Sequence, residues 1–288
     1  MSLISTDLAS VEQTEKAHRT LPDIRLVAGL SIFGFFALAA IAPQLLTGFD
    51  PLGANPLDAL KAPSGAHLFG TDNIGRDLWS RIIHGARTSM GMGIGAMLIS
   101  AGIGILLGGI AGLAGKRIDA VLNGFFDILF AFPDLLLALL MITILGTGSF
   151  NTMLAIGIGG IPGFARVLRG EIIRLRQSAF VESSIALGVS RARIAWRHIL
   201  PNAIGPVAVL ASLYVGKAII YSSALSFLGL GPARPTPEWG LMLADSQLYL
   251  TIAPWFAVFP GLAIMLAAIG SVLLARGLHA PVKGRDHG

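Results

Sequence analysis

Residues Phe180–Asn202 read FVESSIALGVSRARIAWRHILPN, a polar stretch set between two long apolar ones. It carries Arg191, Arg193 and Arg197, with Arg174 and Arg176 just upstream. The pattern predicts two short helices with a stop between them. Gly188 suits a helix end that needs a left-handed residue, Ser190 can cap the next helix, and Pro201 ends that one. A compact basic hairpin held between membrane-spanning segments is a docking element for something in the cytoplasm.

The sequence on either side supports that setting. The chain has 288 residues, 54% hydrophobic and only 13% charged, with a mean hydropathy of +0.74. Soluble domains keep about a quarter of their residues charged, so this composition indicates an all-α integral membrane protein. Six apolar segments are long enough to cross a bilayer, which takes roughly 20 helical residues. They fall near Leu26–Leu46, Ser89–Ala114, Ala120–Leu145, Thr152–Leu168, Ala203–Leu225 and Ile252–Ala275. Glycines in 91–95 and 102–112 read as close-packing faces between helices, since burial of apolar surface does not drive association in lipid. Gly157, Gly159, Gly160, Pro162 and Gly163 interrupt the fourth segment.

Lys and Arg orient the spans. Counted along the loops, most fall on the side that would hold both termini, which places that side in the cytoplasm. The expected layout is a cytoplasmic tail at 1–25 and a membrane domain at 26–275. That domain has external segments at 47–88 and 226–251 and a cytoplasmic loop at 169–202. A second tail occupies 276–288. The net charge of +5 is explained by orientation signals and does not call for nucleic acid. No cysteine is present, which excludes thiolate metal sites, disulfides and cysteine nucleophiles. The sequence contains no GxxxxGK[ST] loop, HExxH or GxSxG, so no enzyme motif competes and ATP is not split here by P-loop chemistry.

Glu182, Gly188, Leu200 and Pro201 together resemble the signature cytoplasmic loop of ABC importer permeases. Ser183 and Ser184 replace the two alanines usual after the glutamate. His198 begins a His-Ile-Leu-Pro-Asn run typical of the peptide and nickel branch. His67–Arg81 (HLFGTDNIGRDLWSR), Asp127–Leu137 (DILFAFPDLLL), Ser226–Gly231 (SFLGLG) and Pro235–Gly240 (PTPEWG) are similar to further segments of that branch. The chain is thus identified as resembling the C-type permease of dipeptide, oligopeptide and nickel importers. Ser222 stands where many relatives carry Glu. The tail 274–281 (LARGLHAP) lacks the acids usual after the last span.

The resemblance implies a type I importer permease fold, with six transmembrane helices and a cytoplasmic coupling hairpin. It implies a multi-pass protein of the bacterial plasma membrane that transports peptides, with nickel complexes or glutathione as alternatives. The implied partners are a second, homologous permease, two ABC ATPase subunits, an extracytoplasmic substrate-binding protein and membrane lipid. ATP and Mg would be held by the ATPases, leaving no cofactor or metal in this chain. Glu182, Ser183, Ser184, Gly188, His198, Leu200 and Pro201 are the implied ATPase-coupling residues. Val181, Ile185 and Gly188 fall on one face at helical spacing, which would pack onto the partner. Glu182, at the start of its helix, is favoured there by the helix dipole.

Among the charges within spans, Asp127, Asp134 and Lys217 call for separate treatment. Each would cost a few kcal/mol facing lipid, so each is expected to face protein or water, and they are the candidate lining of a translocation path. Asp134 follows Pro133, whose missing N–H favours a helix break there. The competing readings are that Asp127 snorkels to the membrane edge and Asp134 caps the broken helix. Lys217 would pair with an acid of the partner permease or meet anionic substrate groups. The cluster in His67–Arg81 has no zinc-ligand spacing and is expected to be structural. A different class, an ion-coupled secondary transporter, would call for inverted repeats and paired intramembrane acids.

Overall fold

A computed structural model describes residues 24–283; the tail residues 1–23 and 284–288 lie outside the described residues. The described chain is helical, with one isolated β-bridge between Thr71 and Asp77. We number the helices α1 (Ile24–Ile41), α2 (Leu78–Leu113), α3 (Lys116–Phe130), α4 (Asp134–Leu145), α5 (Ser149–Arg176), α6 (Ala179–Ala186), α7 (Arg191–Phe227), α8 (Trp239–Ser246) and α9 (Trp255–Lys283). Five of them, α1, α2, α5, α7 and α9, are long and apolar enough to cross a membrane. The pair α3 and α4, bent by 90° at residues 131–133, makes a sixth when taken together as one span. The third apolar segment is therefore not a single rod. Pro133 carries no N–H and cannot continue the α3 ladder, so the helix stops there and restarts at Asp134.

Both ends of the segment expected as a cytoplasmic loop at 169–202 continue the neighbouring long helices. Residues 169–176 complete α5, and α7 starts at Arg191 and runs through Pro201 into the span. Pro201 does not end a helix. The turn before it, Ala195–Ile199, is π-helical, and the Leu200 N–H reaches back five residues to the Ala195 carbonyl. The wider turn makes room for the proline ring, which clashes with the carbonyl four residues back in a regular helix. Helix α2 likewise absorbs two expected pieces. It begins at Leu78, capped by the Asp77 carboxylate accepting from Ser80 N–H at 2.7 Å, and runs for 36 residues without a break. At 1.5 Å per residue that is about 54 Å, well beyond the ~30 Å apolar core of a bilayer.

Small residues set the helix spacing, as the glycine pattern anticipates. A methyl group on Gly108 would lie 2.4 Å from the Ala165 carbonyl oxygen, and one on Gly104 2.5 Å from Phe164 Cβ. The α2–α5 seam thus brings two backbones into contact and holds the centre of the bundle. α9 runs antiparallel to α1, with Gly277 against Leu26 and Gly29 against Leu274. The start of α1, the end of α9 and the 176–191 turn therefore share one end of the molecule, here the hairpin end. Residues 42–77 and 228–254 form the opposite end.

Two buried clusters fill the bundle. One rises from the hairpin end through Val181, Ile194, Ile199, Ile172 and Leu168 to Phe164 and Tyr214. The other lies towards the opposite end, around Phe36, Ile83, Trp239, Ile219 and Phe256. Many other Leu, Ile and Phe side chains on the spans remain exposed, which suits helices whose outer faces meet lipid or another subunit.

At the opposite end the polar residues form a scaffold. Asp72 accepts from the backbone N–H groups of Ile74 and Arg76 and from Arg76 Nε at 2.5 Å, and His67 Nδ1 lies 2.9 Å from Asp77. Glu238 is fully buried. Its carboxylate accepts from Gly240 and Leu241 N–H at 3.0 and 2.7 Å, capping α8, and from Ser89 Oγ at 3.1 Å. Burial pushes its carboxyl above the ordinary range, against the pull of those hydrogen bonds. Ser222, where relatives were expected to carry Glu, is buried and donates to the Ile219 carbonyl at 3.0 Å.

Candidate functional site: a hairpin at one end and a charged cleft within the bundle

The hairpin is built by short-range rules. α6 ends in Gly188 at φ +79. Gly188 N–H donates to the Ile185 carbonyl at 2.9 Å and Val189 N–H to the Ser184 carbonyl at 3.1 Å. That is the paired closure made by a left-handed glycine after a helix, and a side chain at 188 would strain it. Ser190 takes the extended N-cap conformation without a side-chain cap hydrogen bond, so the cap expected of its hydroxyl is not made. The rings of Phe180 and His198 meet edge to face at 5.0 Å and tie α6 to the first turns of α7.

The two faces of the hairpin differ from the expectation. Val181 and Ser184 point inward, Val181 into the buried cluster with Ile194 and Ile199, and Ser184 Oγ donates to the Phe180 carbonyl. Val181 therefore packs onto its own chain and not onto a partner. Glu182, Ser183, Ile185, Leu187 and Gly188 face outward with Arg191, Arg193 and Trp196. Leu200 is half-buried and Pro201 exposed at the start of the span. Arg176 fastens the base by donating to the Gly112 carbonyl at 2.7 Å, at the end of α2.

Asp127, Asp134 and Lys217 separate into two groups. Asp134, the first residue of α4, lies 2.5 Å from Lys217 Nζ of α7. The acid that balances Lys217 thus belongs to this chain, which corrects the expectation of a partner's acid or substrate anions alone. The helix restart at Pro133 is what delivers it: the break turns the α4 N-terminus toward α7. The side chains keep 42% and 33% exposure for Lys217 and Asp134, so the pair opens onto a surface of the bundle. The rings of Tyr221 and Tyr214 stand 5.2 and 5.8 Å from the ammonium. A cleft of about 290 Å³ adjoins the pair, walled by Phe130, Gly159, Gly163, Phe164 and Leu213. Asp127 does not join it. It is paired with Arg166 of α5, whose guanidinium also covers the Phe130 ring at 4.1 Å.

Sequence reasoning missed the pairing of Arg166 and Arg169. Both sit in α5 and bind acids of α3, Arg169 gripping Asp119 with two contacts of 2.5 and 2.6 Å. The spacing offered a signal, since Asp119 and Asp127 lie eight residues apart on one helical face. Tyr214 and Tyr221 had no local signal; their place follows from the approach of α4 to α7.

Comparisons with known proteins agree with this architecture. Residues 104–283 match the family of binding-protein-dependent transport system inner membrane components. The chain is 43% identical to the dipeptide transport system permease protein DppC of Alkalihalophilus pseudofirmus, over 93% of this chain and 89% of that one. It is 40% identical to the glutathione transport system permease protein GsiD of Pectobacterium atrosepticum, over 88% and 85%. It is 38% identical to the probable D,D-dipeptide transport system permease protein DdpC of Escherichia coli, again over 88% and 85%. Among solved structures, the MetNI methionine ABC transporter in an inward-facing conformation shares the fold. Its TM-score is 0.54 at 16% identity, covering 70% of this chain and 97% of that one. The alternative of an ion-coupled secondary transporter is thereby set aside. The chain belongs to the inner-membrane permeases of ABC importers, multi-pass subunits that are not themselves catalytic.

Proposed function

We propose that this permease forms one half of the translocation pathway of an ATP-driven peptide importer and is driven through its hairpin. Its relatives named for dipeptide and D,D-dipeptide transport support the substrate class. The relative named for glutathione, itself a peptide, keeps glutathione as a second candidate within that class. A homologous permease completes the pathway, two ATPases bind ATP and Mg below it, and an extracytoplasmic binding protein delivers the solute above. The hairpin end faces the cytoplasm, consistent with the cluster of Arg174, Arg176, Arg191, Arg193 and Arg197 there.

One observation carries the coupling role. The outward face of the hairpin offers Glu182, Ser183, Leu187 and Gly188, while its inward face is locked to the bundle by Val181, Ile194 and Ile199. The second arm is no separate helix but the beginning of α7. A displacement imposed on α6 by a moving ATPase is therefore passed to α7 and on to Lys217, because packed elements shift as units. The π-turn at Ala195–Ile199 and Pro201 form the joint at which α7 takes up that movement. Asp134 and Lys217 line the pathway.

Reconstitution tests the reading. In proteoliposomes, the permease with its sister permease, ATPases and binding protein should accumulate labelled dipeptide only with ATP. Accumulation by this chain alone, without nucleotide, would overturn it.

A further inference from the structure

From the geometry of the Asp134–Lys217 cleft we infer that it is a binding site for the two charged ends of a zwitterionic short peptide. Asp134 takes the peptide ammonium and Lys217 takes its carboxylate. The inference rests on the proposed peptide-importing function and adds to it what the pathway reads.

The argument begins with charge balance. An ion pair beside an apolar cleft is costly to open if either charge is then left without a partner. A zwitterion replaces each lost partner with one of the same sign. A solute with one capped end strands one of the two charges. The pair is not sealed within this chain: Lys217 and Asp134 are 42% and 33% exposed. The cleft beside them, about 290 Å³, is at the small end of ligand sites, which run from about 300 to 1,000 Å³.

The lining decides which part of the solute is recognised. Phe130, Phe164 and Leu213 offer no side-chain hydrogen bonds, and a methyl group built on Gly163 meets no atom within 4 Å. Such walls accept varied side chains without choosing among them. The Tyr214 hydroxyl is committed to the Ile156 carbonyl at 2.7 Å. Among the described residues, Asp134 and Lys217 are the only charged ones lining the cleft, so the ends of the solute are recognised and its sequence is not.

The test uses the complete importer in lipid nanodiscs with the binding protein left out, so that receptor preference plays no part. Amines are labelled with a small reagent and the modification of Lys217 is followed by mass spectrometry. Millimolar Ala-Ala should slow labelling of Lys217 at least threefold, while N-acetyl-Ala-Ala-amide leaves it unchanged. Asp134→Asn should weaken the protection by Ala-Ala. Equal protection by both peptides, or protection by neither, overturns the inference, as does a Lys217 that never reacts. The same complex, given binding protein and ATP, is assayed for dipeptide uptake. Absence of uptake counts against the proposed function, whereas uptake with no protection of Lys217 sinks this inference alone.

Discussion

The hairpin at residues 179–201 and the cleft at Asp134–Lys217, the two surfaces to which we propose a function, are built by opposite means. The features that shape the two arms of the hairpin are local. A glycine at φ +79 closes α6, a π-turn admits Pro201, and Val181 and Phe180 pack against Ile199 and His198 of the second arm, while the base is tied to α2 through Arg176 and Gly112. The cleft is assembled from residues 83 positions apart, brought together by a helix break and by glycine seams elsewhere. A locally coded element can be moved as a unit by a partner. A site assembled at a distance changes whenever the helices carrying it move. That difference suits one region to receive force and the other to respond to it.

The largest expected effect tests the cleft. Lys217→Met leaves Asp134 without its cation, and dipeptide uptake should fall at least tenfold while the complex still assembles. Assembly should survive because glycine seams away from the pair, α2 on α5 and α1 on α9, set the helix packing. Co-purification with the sister permease, measured beside uptake, separates the two outcomes; loss of assembly would make the pair structural and erase the contrast.

The next effect tests the hairpin's local coding. Gly188→Val forces a β-branched residue into a left-handed conformation, at roughly 1–2 kcal/mol. ATPase association, read by pull-down, should weaken several-fold while the spans still insert, because the strain stays within α6 and its stop. A variant that fails to insert would show that the hairpin is not an independent unit.

Much of the hairpin was legible in the sequence, because a left-handed glycine and a basic polar island are short-range signals. What misled was also local: Pro201 was read as a stop, although a π-turn lets a helix pass through proline. Val181 was assigned to the partner because periodicity reveals a face but not what covers it. In the cleft, Asp134, Lys217 and the break at Pro133 were all visible as anomalies. Their pairing was not, since no rule of spacing connects α4 to α7. The Arg166 and Arg169 pairs were hidden for a similar reason, because charges near a span end look like orientation signals.

A smaller effect serves as a control outside both regions. Burial raises the Glu238 carboxyl, so the folded state holds its proton more tightly than the unfolded chain. The associated stability is fully present below the ordinary carboxylate range and is lost as pH rises through the raised value. Glu238→Gln should flatten that part of the pH–stability curve, measured by thermal unfolding of the purified permease in detergent. Uptake near neutral pH should change less than twofold. A large loss of uptake would extend the functional surface to the opposite end.

The central claim is that movement enters at the hairpin and is spent at the cleft, and its most direct test is a ratio. ATP hydrolysis and dipeptide uptake are measured together in the reconstituted complex carrying Glu182→Lys. The account predicts continued hydrolysis with uptake reduced at least tenfold, so that more ATP is consumed per peptide moved. An unchanged ratio of peptide moved to ATP consumed would contradict it.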